Sequence, residues 1–154
     1  MLRILLAVVH LLALGIGLGA VFARARALGR LTSAQESMRR IFTADAWWGV
    51  AALLWLTTGL WRALAGTEKA SGYYWSNHVF YAKMGLFLAI FLLELYPMVT
   101  LVRWRSAVRT KTLSPPVVLA PTARRIARIS DLQTLLVIAT VCAAVLMARG
   151  HGAQ

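Results

Sequence analysis

Long apolar stretches alternate along this chain with segments that contain most of its charged residues. Four such stretches cover residues 2–22, 46–64, 79–102 and 129–148. A helix of about 20 mostly apolar residues crosses the hydrocarbon core of a bilayer, which is about 30 Å thick. The pattern therefore predicts an all-α fold, an integral membrane four-helix bundle that forms one domain over residues 1–154.

Composition favours the same fold. Hydrophobic residues make up 60% of the chain and charged residues only 14%, which excludes an ordinary water-soluble globular domain. The single cysteine, Cys142, excludes an internal disulfide and a CxxC metal or redox motif. The first apolar stretch is long for a signal peptide and three more stretches follow it, so we expect it to be retained as a helix.

Basic residues are concentrated in two segments, one between the first and second stretches and one between the third and fourth. They give the chain a formal net charge of +12. Because cytoplasmic loops of membrane proteins are rich in Lys and Arg, both segments are predicted to be cytoplasmic and both termini to lie outside, in the periplasm of a bacterial inner membrane. Anionic lipid accounts for this charge, so the lipid bilayer is the expected partner and nucleic acid is not. The basic residues are Arg24, Arg26, Arg30, Arg39 and Arg40 in the first segment, and Arg103, Arg105, Arg109, Lys111, Arg124, Arg125 and Arg128 in the second.

Local signals indicate where the helices begin and end. Asp45 is predicted to cap the second span, and Pro121 with Thr122 is predicted to begin the helix that leads into the fourth. Residues 33–42 are interpreted either as a short interfacial helix or, preferably, as a simple connection. Residues 114–116, with the sequence Ser-Pro-Pro, are expected to form a turn.

Apart from Arg3 and Arg62 at the span ends, four ionisable residues lie within the predicted spans, where each costs at least ~2.5–3.5 kcal/mol to insert. They are His10 in the first span, Lys83 and Glu94 in the third, and Asp131 near the start of the fourth. Arg128 lies about one helical turn before Asp131 and is expected to pair with it. The partner of Glu94 stays open, and His10 and Lys83 become the main candidates for a functional site.

His10 and Lys83 are expected to share a layer near the outer surface. His10 lies eight residues into the first span and Lys83 four residues into the third. At 1.5 Å per residue these depths are about 12 Å and about 6 Å, which differ by only one helical turn. Lys83 also shares a helix face with Phe87, Ile90 and Glu94, and this face is expected to point into the bundle.

One face of the first span carries small residues. His10, Ala13, Gly17, Ala20 and Arg24 follow helical spacing and form a single stripe. Small residues allow a neighbouring helix to approach closely, and they equally leave room for a flat macrocycle. The sequence leaves both interpretations open.

Tryptophans recur along the second span. Trp48, Trp55 and Arg62 follow one another every seven residues and therefore lie near one face. We interpret this face as an ordinary lipid-facing or helix-packing surface rather than as the aromatic wall of a cofactor site.

Three segments with these features resemble a known superfamily. They read VVHLLALGIGLGAVFARAR, GVAALLWLTTGLW and HVFYAKMGLFLAIFLLELY. They resemble the small four-helix membrane proteins that include the HemJ-type protoporphyrinogen oxidases and the membrane domain of copper resistance protein D. More narrowly, the whole chain resembles a bacterial family of predicted membrane proteins of unknown function.

The resemblance implies roles for particular residues. In HemJ-type proteins a histidine of the first helix and a lysine of the third hold a b-type haem, and the matching residues here are His10 and Lys83. The family arginine at the inner end of the first helix corresponds to Arg26 by counting from the histidine, or to Arg24 by helical phase. The chain lacks the family's tryptophan in the middle of that helix and its Pro-Arg and Tyr-His pairs, a departure that bears on the oxidase activity more than on the haem site.

Our first hypothesis for the function is a redox protein of the inner membrane with haem b between the first and third spans. His10 is one iron ligand, neutral Lys83 is the second ligand or a close partner, and Gly17 and Arg24 are further cofactor contacts. The resemblance implies electron transfer between a porphyrin or another small reductant and quinone. The sequence does not decide whether the protein is an enzyme.

Two alternatives belong to other classes of protein. A copper-handling or transport protein would use the histidines and methionines of the outer half, whose imidazole and thioether groups suit Cu(I). These residues are His10, His78, His151, Met1, Met84 and Met147. The other alternative is a non-catalytic structural subunit whose polar residues stabilise contacts with a partner or within a homo-oligomer.

Overall fold

The computed structural model describes residues 1–31, 34–64, 78–113 and 116–149, and these residues form four long helices. We number them α1 to α4 in chain order. They are α1 (Leu2–Gly29), α2 (Ala34–Leu64), α3 (His78–Arg109) and α4 (Pro116–Ala148). The predicted all-α fold with four helices is confirmed.

Three of the four helices are long and apolar enough to cross a membrane. They are α1, α3 and the part of α4 from Val118 to Ala148. Helix α2 is as long, but its apolar part is rich in tryptophan and threonine, which lower its mean hydropathy. These residues are Trp47, Trp48, Trp55, Trp61, Thr57 and Thr58.

The helices extend beyond the predicted spans at their basic ends, which corrects three expectations. Residues 34–42 are the beginning of α2, so the interpretation of residues 33–42 as a connection or a separate short helix is wrong. Asp45 consequently lies inside α2 and does not cap it. Helix α4 already begins at Pro116 and contains Pro121, so the predicted helix start at Pro121 is wrong. Residues 114 and 115 of the expected turn lie outside the described residues.

The basic ends are helical because they bury an apolar face of their own. Leu28 of α1, Ile41 of α2, Leu101 and Trp104 of α3, and Ile126 of α4 belong to one buried cluster. Helical segments of marginal intrinsic stability form when packing buries their apolar face. Mean hydropathy is high only where a helix is apolar on most sides. It therefore did not predict that these amphipathic extensions are helical.

Helices α1 and α4 each pack along two neighbours: α1 packs along α2 and α4, and α4 packs along α1 and α3. The predicted stripe of α1 is confirmed as the inward face: Ala13, Gly17, Ala20 and Arg24 are buried. His10, at the outer end of the stripe, is half-buried. The tryptophan face of α2 also points inward, because Trp48 and Trp55 are buried in the second apolar cluster of the bundle, together with Val137 of α4.

The bundle is packed tightly only in its middle and at its basic ends. Among the residues that the structure describes, none is buried before Ala13 in α1, before Ile90 in α3, or after Thr140 in α4. Apart from Trp55 and Thr58 of α2, the half of the bundle that contains the N-terminus therefore has no buried side chain among the described residues. His10 and Lys83 both belong to this half.

Among the glycines of α1, Gly17 is the one at which α2 approaches closely. A Cβ atom at Gly17 would lie 3.3 Å from Ala51 Cβ and 3.4 Å from the Trp48 ring. At Gly15 and Gly19 the same atom would meet nothing within 4 Å. Of the two interpretations of the small stripe, close helix packing therefore applies at Gly17, where α2 fills the space.

We expect Gly17→Leu to destabilise the protein, because the new side chain must displace Ala51 or Trp48. Overpacking of a close contact costs about 1–3 kcal/mol. Gly19→Leu is the matched control, since it adds the same side chain to the same helix in open space. Thermal unfolding in mild detergent, followed by circular dichroism, measures both variants, and equal midpoints would contradict the close approach of α1 and α2.

Candidate functional site

Arg24 is a charged residue whose side chain is completely buried, with 0% exposure. Its guanidinium makes five hydrogen bonds to the other three helices. Nε donates to Ser130 Oγ at 3.0 Å. Nη1 donates to Asp45 Oδ1 at 2.9 Å and to Glu94 Oε1 at 2.7 Å, and Nη2 donates to Glu94 Oε2 at 2.7 Å and to Gln133 Oε1 at 2.9 Å. A guanidinium has five N–H groups, so every donor of Arg24 is used.

Glu94 is the principal partner of Arg24. The two parallel hydrogen bonds between them form a bidentate pair, the strongest geometry available to arginine and a carboxylate. Gln133 Nε2 donates to Glu94 Oε2 at 2.9 Å and to the Ile90 carbonyl oxygen at 3.2 Å, which fixes the carboxylate from the α4 side. The partner of Glu94 that the sequence left open is thus Arg24.

Asp45 connects Arg24 to a second arginine. Its Oδ2 atom accepts a hydrogen bond from Arg105 Nη2 at 2.9 Å, and the same nitrogen donates to the Phe42 carbonyl oxygen at 2.9 Å. Two arginines and two carboxylates therefore balance in formal charge. We call this group the Arg24 cluster, which consists of Arg24, Asp45, Glu94, Arg105, Ser130 and Gln133.

The Arg24 cluster lies where the apolar part of the bundle meets its basic ends. Removing charges from water costs several kcal/mol per ion, and only close pairing with further hydrogen bonds offsets this cost. The cluster meets that condition with side chains from all four helices. Its direct chemical consequence is to hold the four helices in one relative rotation and register.

The two candidate arginines of the first helix have different environments. Arg24 is buried, whereas Arg26 is exposed and lies over the Phe22 ring at 4.9 Å. Helical phase had matched the family arginine to Arg24, which is the inward residue. Counting from the histidine had matched it to Arg26, which is exposed. Because all donors of Arg24 are engaged within the protein, the structure leaves none for the predicted contact with a cofactor.

Several members of the cluster were missed at the sequence level. Asp45 was assigned to a helix cap because the second span was expected to begin at residue 46. Ser130 and Gln133 are uncharged, so the cost of inserting an ionisable group into a membrane does not single them out. Two features of the sequence did point to the cluster. They are the face of α3 that carries Glu94 and the stripe of α1 that ends at Arg24.

His10 bonds to α2 through both of its ring nitrogens. Nε2 accepts a hydrogen bond from Trp55 Nε1 at 3.0 Å, and Nδ1 lies 2.9 Å from Thr58 Oγ1. Since Nε2 is an acceptor, we assign the neutral tautomer with its proton on Nδ1, which donates to Thr58. The Thr58 hydroxyl donates in turn to the Leu54 carbonyl oxygen at 2.6 Å.

Lys83 is half-buried on α3, one turn before Phe87. The Phe87 ring packs against the Trp55 ring at a centroid distance of 5.6 Å in an edge arrangement. Trp55 in turn contacts His10, with ring centroids 6.1 Å apart. The aromatic contacts thus connect the face of α3 that carries Lys83 with the surroundings of His10.

The part of the chain that the structure describes includes every residue of the copper hypothesis except His151. Within that part, no group of three or more His, Cys, Asp or Glu side chains could hold a metal ion. His78 is exposed at the start of α3, and His151 lies outside the described residues. Cys142 is exposed on α4.

Asp131 differs from Glu94 in having no buried partner. Both Asp131 and Arg128 are exposed, and the structure shows no ion pair between them, so the predicted pairing is wrong. One turn of helix brings the two residues to neighbouring positions, but at an exposed surface water solvates both charges at little cost.

We expect Glu94→Ala to destabilise the protein strongly, because it leaves the buried guanidinium of Arg24 without its bidentate partner. Breaking a buried pair by removing one member costs about 3–5 kcal/mol. Asp131→Ala is the matched control, since it removes an exposed carboxylate, and we expect it to change stability by less than about 0.5 kcal/mol. Thermal unfolding of both variants in detergent tests this, and similar losses in the two would contradict the central role of the Arg24 cluster.

Comparison with known proteins places the chain in a family. The family model described as "Predicted membrane protein (DUF2214)" matches residues 2–152. No curated protein and no solved structure matches the chain. The match spans almost the whole sequence and agrees with its apolar helices, while the wider resemblance to HemJ-type proteins stays a prediction. The chain belongs to the predicted membrane protein family DUF2214.

Proposed function

We propose that this protein is a small membrane protein of the bacterial inner membrane that binds b-type haem in the outer half of its bundle. In this proposal α2 is the fourth span, His10 is one iron ligand through Nε2, and Lys83 is the second ligand or a close partner. The observation that carries the proposal is the 2.9 Å contact between His10 Nδ1 and Thr58 Oγ1.

The contact with Thr58 is typical of a histidine that binds a metal. Such residues donate their second N–H group to a neighbouring acceptor, which fixes the tautomer and the ring orientation. Here Nδ1 has that role, so the lone pair of His10 lies on Nε2. Imidazole and neutral amine nitrogens both suit haem iron, so His10 and Lys83 form a chemically suitable pair.

The lone pair on Nε2 is occupied in the structure by the Trp55 indole. The Trp55 N–H group donates to it at 3.0 Å, and iron ligation would require this hydrogen bond to break. The nitrogen ligands of the site therefore suit haem iron. The indole of Trp55 must turn away from His10 Nε2 before iron can bind there. Trp55 is buried, so this movement must open its packing against Phe87, and both rings would then offer apolar surface to a porphyrin.

When bound, haem supplies one-electron chemistry. The residues of this chain would hold it, exclude water from one side and adjust its potential through burial and hydrogen bonding. Quinone as acceptor and a porphyrin as reductant are the partners that the resemblance implies. Gly17 and Arg24 are left out of the proposed site, because α2 fills the space at Gly17 and the Arg24 cluster uses every donor of Arg24.

A structural subunit without a cofactor is the second candidate, and one specific observation favours it. Both nitrogens of His10 are satisfied by α2, so His10 already has the complete set of hydrogen bonds of a residue that fastens α1 to α2. In that case the protein acts through its surfaces and binds no pigment.

We expect the full chain, purified in mild detergent from haem-replete cells, to show a Soret band and reduced α and β bands. His10→Ala and Lys83→Ala should remove these bands, and Met84→Ala, an exposed neighbour of Lys83, should leave them unchanged. Oxidised and dithionite-reduced spectra at matched protein concentration provide the measurement. A colourless wild-type protein would overturn the haem proposal and favour the structural subunit.

Substitutions of the two hydrogen-bond partners of His10 separate the candidates further. Thr58→Val should weaken haem binding about 10–100-fold, as expected for loss of the group that orients a ligand. Trp55→Phe should preserve or strengthen binding, because it removes the N–H group that competes for Nε2. If the protein is a structural subunit, Trp55→Phe only destabilises it. Titration of the apoprotein with haem, compared with thermal unfolding, therefore distinguishes the haem protein from the structural subunit.

The proposed orientation is testable with single cysteines. In a Cys142→Ser background, we expect Arg149→Cys to react with a membrane-impermeant maleimide in intact spheroplasts, and Thr112→Cys to react only after lysis. The reason is the concentration of basic residues around Thr112, which favours the cytoplasm. The reverse labelling pattern would contradict termini outside the cell.

A further inference from the structure

A groove of about 970 Å³ runs between α2 and the basic end of α3. Its apolar lining includes Phe42, Trp47 and Val50 of α2 and Val108 of α3. The groove belongs to the opposite half of the bundle from His10 and is independent of the haem proposal. Its volume is at the upper end of the range for small-molecule sites.

The groove also has three basic residues in its lining, Arg39, Arg105 and Lys111, and the described residues that line it include no Asp or Glu. Arg39 and Lys111 are exposed. Arg105 uses Nη2 for its bonds to Asp45 and the Phe42 carbonyl oxygen, yet 40% of its side chain remains exposed. Asp45 matches the charge of Arg105, so Arg39 and Lys111 are the residues that give the described lining of the groove an unbalanced positive charge.

Charge and apolar surface are separated along the groove. On α2, Arg39 is at the basic end, and Trp47 and Val50 lie toward the apolar part of the bundle, with exposures of 54% and 52%. The distance from Arg39 to Val50 along the helix is about 16 Å at 1.5 Å per residue. A ligand that matches this surface has an anionic group at one end and a long apolar part at the other.

We propose that this groove binds one anionic phospholipid. Its phosphate lies between Arg39, Arg105 and Lys111, and its acyl chains follow Phe42, Trp47 and Val50 toward the membrane core. Basic pockets between membrane helices on the cytoplasmic side suit anionic head groups. Arg39, Arg105 and Lys111 lie at the end of the bundle that is predicted to be cytoplasmic. A long arginine or lysine side chain also reaches a phosphate without losing its apolar contacts.

The test uses the full chain in detergent with phosphatidylglycerol as the anionic probe and phosphatidylcholine as the neutral one. Native mass spectrometry counts bound lipid, and thermal unfolding reports stabilisation. The groove variant is Arg39→Gln with Lys111→Gln. The matched control is Arg103→Gln with Arg128→Gln, which removes the same charge from exposed positions outside the groove. Arg105 is left intact, because its substitution would disturb Asp45 and the Arg24 cluster.

We expect the wild type and the control to retain one phosphatidylglycerol with at least a tenfold preference over phosphatidylcholine. The groove variant should lose this preference and the accompanying rise in unfolding temperature. If the groove variant and the control lose the preference for phosphatidylglycerol equally, general surface charge causes the preference and the proposal is overturned. Equal retention of both lipids by the wild type would also overturn it, and would leave a protein partner as the occupant of the groove. Inorganic phosphate should not raise the unfolding temperature, and a rise equal to that given by phosphatidylglycerol would assign the site to a free anion.

Discussion

The burial of one guanidinium is the constraint on which this bundle depends. Arg24 has five donors in a fixed plane, and α1 alone offers no acceptors for them in an apolar environment. Each of the other helices must therefore present a particular side chain at one depth and one rotation. A shift of one residue would turn that side chain by about 100° around its helix and leave a charge or a donor unsatisfied. The hydrogen bonds thereby select a single packing from the many that apolar helices of this length permit.

This constraint divides the molecule into two halves with different properties. Around the Arg24 cluster, apolar contacts at Leu28, Ile41 and Trp104 surround the polar group and complete a tightly packed region. In the half that contains His10, the two hydrogen bonds of His10 join α1 to α2, and Trp55 and Thr58 are the buried side chains among the described residues. Regions with few buried contacts open at lower cost than packed ones. The half that contains His10 therefore opens at lower cost than the half around the Arg24 cluster.

The sequence predicted the features that depend on helical spacing within one segment. The stripe that ends at Arg24 and the inward face at Glu94 both follow from periodicity, because a side chain's direction in a helix is set by its number. It did not predict the ends of the helices or the partners of Arg24. Mean hydropathy measures transfer to lipid, so it predicted no span over the amphipathic start of α2. Residues 33–42 were therefore interpreted as a connection in preference to a short helix, and Asp45 as a cap. The meeting of Gln133 with Glu94 depends on tertiary packing between α3 and α4, for which a single sequence contains no direct signal.

The balance of charge in the Arg24 cluster also explains why the basic ends of the bundle remain strongly positive. Its two arginines are matched by Asp45 and Glu94, which are two of only 5 acidic residues in the chain. Few carboxylates therefore remain to balance the other basic residues, most of which lie at these ends. Arg105 belongs to both environments, since its Nη2 atom bonds to Asp45 and its side chain also lines the groove. An anion in the groove would hold Arg105 from its second side and so reinforce the position of Asp45 against Arg24. Lipid charge at the surface and packing at the centre of the bundle are in this way joined through a single side chain.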